Sequence, residues 1–336
     1  MRTNEASRRV LDQLQRPLRD LRVSVTDRCN FRCDYCMPAA IYSDESRFHP
    51  QAELLSFSEI ERVVSTAIDE LGVSKLRLTG GEPLLRPNLP LLIARLSRLR
   101  GLDEVTLTTN GSRLSEHASA LRDAGLSRLT ISLDSLDPAE FARMSGGKHD
   151  LARVLAGIDA AERVGFDAIK LNCVVVRGRN EGAILTLAER FRGSPHIVRF
   201  IEYMDVGTQN RWQASEVVSA REIVERIAAR WPIQPIEPNY RGEVAQRFRY
   251  LDGAGEVGVI SSISDPFCGS CHRARLSADG RLLTCLFAAD GVSLKQALRD
   301  GAGDAALSGL LREIWSKRSD RYSEERAGLD RRHQRR

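Results

Sequence analysis

Six short stretches of the chain alternate apolar and polar residues with a period of two. They lie near residues 21–27, 75–79, 104–109, 128–134, 168–176 and 197–203. In the first, Leu21, Val23 and Val25 share one face, and Arg22, Ser24 and Thr26 share the other. Leu76 and Leu78 oppose Lys75, Arg77 and Thr79, while Val105 and Leu107 oppose Thr106, Thr108 and Asn110. Leu129, Ile131 and Leu133 oppose Thr130, Ser132 and Asp134, and Ile169 and Leu171 oppose Lys170 and Asn172. This period predicts strands with two unlike faces. Between them run amphipathic helical stretches. "SFSEIERVVSTAIDELG" places Ser58 and Glu61 at capping-box spacing and stops at Gly72. "LPLLIARLSRLRG", "SEHASALRDAG", "DLARVLAGIDAAERVG" and "EGAILTLAERFRG" follow.

Strand–helix alternation predicts an α/β protein with a parallel sheet of six βα units or so, closing as a partial (β/α) barrel. After about Trp231 the pattern changes to "PIQPIEPNY" and then to short β-like pieces with Gly-rich turns. A domain boundary is expected there, between residues 1–231 and 232–336. The alternation also has a chemical consequence. Buried parallel strands normally read as continuous apolar runs, and a packed barrel core is filled by Val, Ile and Leu. An antiparallel sheet with one solvated face would also alternate, but the intervening helices argue against it. With helices on the apolar face, the polar face lines the barrel. Arg22, Lys75, Arg77 and Lys170, with Arg199 as a fifth, then share one lumen. Their repulsion calls for a polyanion, and so for a phosphate-rich substrate.

Composition adds boundaries. The chain has 336 residues, 42% apolar and 28% charged, which fits an ordinary globular protein. Its apolar runs are too short to span a bilayer, and "MRTNEASRRVLDQLQRPLRD" lacks the apolar centre of a secretory signal. A reducing cytoplasm is expected, where clustered cysteines are metal ligands rather than disulfides. The net charge of +5 is mild. The tail "DRRHQRR" reads as a solvated basic end, so no nucleic-acid partner is expected.

Three of the seven cysteines, Cys29, Cys33 and Cys36, fall in "TDRCNFRCDYCMP" with the spacing C-x3-C-x2-C. Structural zinc usually pairs C-x2-C knuckles with two further ligands, whereas a [4Fe–4S] cluster on three thiolates keeps one iron open. Cys268, Cys271 and Cys285 form a second triplet in "FCGSCHRARLSADGRLLTCLF". By spacing alone, zinc with His272 as fourth ligand is a serious alternative there; two triplets in one chain favour iron–sulfur. Cys173, in "IKLNCVVV", points to the apolar face and reads as core. "TGGEP", Thr79 to Pro83, is either a tight βα turn or a backbone approach to a ligand. Arg273 and Arg275, two apart in an extended segment, point the same way, towards an anion.

C-x3-C-x2-C with an aromatic residue, Tyr35, before the last cysteine is the signature of the radical S-adenosylmethionine (SAM) superfamily. With "RDLRVSVTDRCNFRCDYCMP", "LRLTGGEPLLR", "LTTNG", "ISLDS", "VRFIEYMDVG", "GEVAQRF" and "FCGSCHRARLSADG", the chain closely resembles the GTP 3′,8-cyclase family from about Pro17 to Arg326. The resemblance implies an incomplete (β/α)6 TIM-like radical SAM barrel, with a C-terminal α+β domain closing its open side. GTP would lie between two [4Fe–4S] clusters. Cys29, Cys33 and Cys36 would hold the SAM cluster, and Cys268, Cys271 and Cys285 a second one whose open iron meets guanine. Tyr35, Gly81, Ser132 and Met204 would lie on SAM, with Glu82 receiving its ammonium. Arg22, Arg77, Thr108, Lys170, Arg273, Ala274 and Arg275 would hold GTP, with Arg22, Arg273 and Arg275 catalytic.

In the implied reaction a 5′-deoxyadenosyl radical takes the C3′ hydrogen of GTP, and the C3′ radical attacks guanine C8. The cyclised nucleotide would pass to the next enzyme of molybdopterin synthesis, cyclic pyranopterin monophosphate synthase. A reductant protein would supply electrons, and a homodimer is compatible with the family. "SGGKHD" lacks the Walker spacing, so arginines and lysines would handle the triphosphate. Family chains usually close in two glycines thought to reach the active site, whereas this sequence reads "AGLDRRHQRR" there. The expectation is intact cluster and GTP sites with turnover in question. The alternatives are a GTP- and cluster-binding paralogue without turnover, or another radical SAM enzyme with an auxiliary cluster.

Overall fold

In the computed structural model the alternating stretches are β1 (Asp20–Ser24), β2 (Lys75–Thr79), β3 (Glu104–Thr109), β4 (Arg128–Ser132), β5 (Lys170–Val175) and β6 (Ile197–Glu202). The structure describes residues 10–326 except 45–46, 148, 207–211, 289 and 301–302. The six strands pair in parallel and in chain order. Leu76, Leu78, Leu107 and Ile131 are wholly buried on the helix-covered face, and Cys173 joins that core as its phase predicts.

The helix after the first cysteines, Phe57–Leu71, starts earlier than the Ser58–Glu61 spacing suggests. Its cap is Ser56, whose hydroxyl accepts from the Glu59 amide at 3.2 Å while the Glu59 carboxylate takes the Ser56 amide at 2.7 Å. The same spacing occurs twice in "SFSEIE". Starting at Ser56 puts Ile60, Val63, Val64 and Ala67 against the sheet. Gly72 ends the helix with φ 75°, a left-handed conformation that glycine adopts without steric cost.

Beyond Trp231 the chain extends both edges of the sheet. β7 (Ile233–Ile236), β8 (Gln246–Tyr250) and β9 (Glu256–Ile260) form a meander whose last strand runs parallel to β6. β10 (Arg273–Leu276) pairs in parallel with β1 at the opposite edge. β11 (Arg281–Leu283) and β12 (Val292–Ser293) follow it antiparallel. The central run β10-β1-β2-β3-β4-β5-β6-β9 is therefore parallel throughout, within a sheet that stays open at β12 and β7. Helix Asp304–Ser316 then packs on Phe57–Leu71 and buries Leu307, Leu311 and Trp315. Among the described residues no helix is long and apolar enough to cross a membrane.

Candidate functional site

The chain leaves β1 at the C-terminal ends of the strands and carries Cys29, Cys33 and Cys36 in the next loop. The "TGGEP" turn after β2 holds that loop from below. Gly81 donates its amide to Thr26 O at 2.8 Å, and Glu82 donates to Arg28 O at 2.8 Å. A Cβ on Gly81 would stand 2.2 Å from Arg28 O, and one on Gly80 2.4 Å from Thr26 O. The close approach that these glycines permit is thus to the polypeptide itself. "SGGKHD" braces the same loop, because Ser145 O accepts the Arg32 amide at 3.0 Å and a Cβ on Gly146 would meet Arg32 O at 2.6 Å.

Glu82 does not present its carboxylate to a ligand, contrary to the expectation that it receives an ammonium. It is 1% exposed and accepts from Leu84 N at 3.0 Å, Thr109 Oγ1 at 2.6 Å and Asn110 N at 2.7 Å. It ties the turn after β2 to the end of β3. Burial raises its pKa although these bonds oppose the shift. Tyr35 donates its hydroxyl to Asp134 at 2.6 Å, and Asp134 also accepts Val174 N at 2.9 Å. Burial lifts the Asp134 pKa to about 6. Ser132 closes β4, half-buried opposite Asn172, and Met204 lines the cavity described next. Burial also pushes the Cys29 thiol up to about 12, with a smaller contribution from the Glu82 charge, and raises Cys33, where Asp134 adds to it.

A cavity of about 230 Å³ fills the lumen. Register places Arg22 between Arg275 of β10 and Arg77 of β2. Burial, then the neighbouring Arg275, holds the Arg22 pKa well below its ordinary value. Arg77 donates to Thr108 at 3.3 Å and Thr130 at 3.1 Å, yet the buried Nε atoms of both Arg22 and Arg77 have no protein partner. Burial and then Arg199 bring Lys170 down to about 8; burial and then Arg77 bring Arg199 down to about 9. Asp20 is the main counter-charge, held low by Arg22, Arg77 and Arg273 against the opposing effect of burial.

Two corrections to the lumen follow. Lys75 is not on the cavity wall. It pairs with Glu104 at 3.6 Å and sits 3.6 Å from the Tyr240 ring centroid. Arg128, which does line the cavity, was missed, although it shares the period-two phase of Thr130 and Ser132.

Cys268, Cys271 and Cys285 border this same cavity from the other side. Arg273 and Arg275 share the inward face of β10, as their spacing predicts. Ala274, expected beside the substrate, also lines the cavity, while its methyl group joins the apolar core on the alternate phase of that strand. Arg273 and Arg318 each donate to the Cys271 sulfur at 3.3 Å. Burial opposes ionisation of Cys271, but these two guanidiniums overcome it and bring its pKa to about 7. Burial raises Cys285.

His272, the fourth ligand of the zinc alternative, lines the cavity with both ring nitrogens unpaired, and its ring packs between Gly242 and Tyr240. A Cβ on Gly242 would touch the His272 ring at 2.5 Å, and the ring lies 6.1 Å from that of Tyr240. Among the described residues no three His, Cys, Asp or Glu side chains are arranged to hold a single metal ion. The all-thiolate donor sets instead suit iron–sulfur clusters. Arg275 bears on both triplets. It opposes the burial that raises Cys36, and its own pKa, near 10 through burial and then Arg273, is raised by Cys285 and Cys271. The closing segment at issue in the two-glycine expectation, 327–336, lies outside the described residues.

Comparison with known proteins bears on these features. Residues 23–191 match the Radical SAM superfamily and residues 196–324 match Molybdenum Cofactor Synthesis C. The GTP 3′,8-cyclase of Xanthomonas axonopodis pv. citri is 55% identical over 96% of this chain and 95% of its own. That of Acidothermus cellulolyticus is 55% identical over 95% and 89%, and that of Staphylococcus carnosus 46% over 95% and 94%. Solved structures share the fold at low identity. Streptococcus suis SuiB bound to precursor peptide SuiA gives a TM-score of 0.60 at 15% identity, covering 93% of this chain and 67% of that one. anSMEcpe with bound AdoMet gives 0.54 at 17%, covering 80% and 74%.

Proposed function

The chain belongs to the GTP 3′,8-cyclase family of radical SAM enzymes, and from that premise we propose how its residues divide the reaction. With a [4Fe–4S] cluster on Cys29, Cys33 and Cys36 and SAM bound, the chemistry supplied is a 5′-deoxyadenosyl radical that removes H3′ of GTP so that C3′ bonds guanine C8. Arg22, Arg77, Lys170 and Arg199 neutralise the triphosphate, and Thr108 helps to fix Arg77. Arg273 and Arg275 orient the nucleotide towards Cys268, Cys271 and Cys285, which hold a second [4Fe–4S] cluster. Arg22 and Arg275, neighbours across β1 and β10, keep the ribose end of the nucleotide in place and water away from it. Tyr35, fixed by Asp134, borders SAM together with Gly81, Ser132 and Met204.

The observation that carries this reading is the row of buried guanidiniums between two cysteine triplets. Arg22 and Arg77 each keep a buried Nε donor without a protein partner, and a buried donor left unpaired in a cationic cavity calls for an anionic acceptor. The product, a 3′,8-cyclised guanosine triphosphate, passes to cyclic pyranopterin monophosphate synthase in the cytoplasm. A reductant protein supplies the electrons.

The test is anaerobic turnover of the reconstituted chain with reductant and SAM, following 5′-deoxyadenosine with and without GTP. GTP-dependent 5′-deoxyadenosine with a cyclised nucleotide is expected. Formation indifferent to GTP would mean a different substrate.

A further inference from the structure

Behind the second cysteine triplet lies a buried charge network, which reaches the lumen wall only through Arg318. Asp12 is 2% exposed and accepts from four donors. Its Oδ1 takes the amides of Leu14 at 2.9 Å and Arg16 at 2.8 Å, and its Oδ2 takes Arg16 Nε at 2.6 Å and Arg318 at 3.1 Å. The two arginines reach the backbone around all three cysteines. Arg16 donates to Cys268 O at 2.7 Å; Arg318 donates to Cys271 O at 2.8 Å and to Thr284 O, beside Cys285, at 3.0 Å. Arg318 also donates to the Cys271 sulfur at 3.3 Å and lies over the Trp315 ring. One terminal nitrogen of Arg16 is buried with no partner.

We propose that Arg318, its charge balanced by Asp12 and its reach shared with Arg16, is a positioning residue that sets the reduction potential of the cluster on Cys268, Cys271 and Cys285. The proposal rests on the second-cluster reading given above. Reducing a thiolate-ligated cluster by one electron adds negative charge, so a nearby guanidinium and N–H···S bonds favour the reduced form and raise the potential. Asp12 works in the opposite sense, offsetting part of the Arg318 charge at a site that water does not screen. Arginine suits this role because its planar fork serves one sulfur and two carbonyls while pairing with two carboxylates, the buried Asp12 at 3.1 Å and the more exposed Asp320 at 3.5 Å.

The two partners give shifts of opposite sign, and a purely structural role would not. The experiment uses the full chain carrying Cys29→Ala, Cys33→Ala and Cys36→Ala, so that iron loads only at the second triplet. Iron and sulfide are counted after anaerobic reconstitution. The midpoint is then read by electron paramagnetic resonance during titration with dithionite, a one-electron reductant, for this parent and for Arg318→Met, Arg318→Lys and Asp12→Asn.

The expected order of potentials is Arg318→Met lowest, then Arg318→Lys, then the parent, then Asp12→Asn highest. The gap from Arg318→Met to the parent should be at least tenfold in the reduction equilibrium, about 59 mV for one electron. If Arg318→Met loads no iron, the lysine and asparagine variants decide, since one should fall and the other rise. Arg318 and Asp12 variants that shift in the same direction, or an iron-loaded Arg318→Met within tenfold of the parent, overturn the proposal and leave the second cluster standing. A parent without iron and sulfide overturns the second-cluster reading itself.

Discussion

Cys29, Cys33 and Cys36 sit near two buried carboxylates, Glu82 and Asp134, whereas Cys268, Cys271 and Cys285 sit against Arg16, Arg273 and Arg318. Each triplet offers three thiols, the second of them on the lumen cavity, yet burial carries Cys29 to about 12 while two guanidiniums carry Cys271 to about 7. The difference matches the molecules each side is proposed to meet. SAM brings a sulfonium into the field of these two carboxylates, both of which keep their hydrogen bonds to the protein. GTP brings phosphates to a wall of cations. Two sets of the same donor atom are therefore set apart by the charges packed behind them.

The largest effect comes from breaking one side outright. Cys33→Ala should abolish 5′-deoxyadenosine formation and lower bound iron by about four per chain, while GTP binding persists. Iron counting and a GTP titration on the same sample check both halves. Next, Arg22→Ala or Arg275→Ala should weaken GTP binding by about 2 kcal/mol, roughly thirtyfold in Kd, with reductive SAM cleavage largely retained. Unchanged affinity in both would remove the substrate assignment.

A gentler probe is pH. Lys170 has its pKa lowered to about 8, so it is charged below that value and neutral above it. GTP affinity should fall as pH rises through about 8, and Lys170→Arg should flatten that dependence between pH 7 and 9 in calorimetry. A slope unchanged in Lys170→Arg would assign the dependence to another group. The smallest effect lies far from both triplets. Ser56→Ala should cost about 1 kcal/mol of stability through the lost cap, read as a lower Tm, with both clusters and GTP binding intact.

Much of the site was legible because a strand's period of two is local. Arg22, Arg77, Lys170 and Arg199 could be placed on one wall from alternation alone, and the two-residue spacing of Arg273 and Arg275 turned both the same way. The same rule admitted Lys75, whose charge is taken up by Glu104 across the sheet, a pairing that phase does not reveal. Glu82 was misread for a related reason. Its three donors come from two different strand ends, and only the assembled turn brings them together. The Asp12–Arg16–Arg318 network left no local trace. Its members stand at opposite ends of the chain, as scattered charges in polar stretches.

The pairing of β10 with β1 also has a consequence for synthesis. β1 leaves the ribosome about 250 residues ahead of β10, and one of its hydrogen-bonding edges has no partner until residues 273–276 emerge. Until then the nascent chain carries an open strand edge and half a binding wall, with Arg22 lacking its neighbour Arg275. Pairing between such distant segments is slow to close. The order of events in the cell should therefore be a barrel assembled first from β1 to β6, and a substrate chamber sealed only after residues 273–276 have emerged.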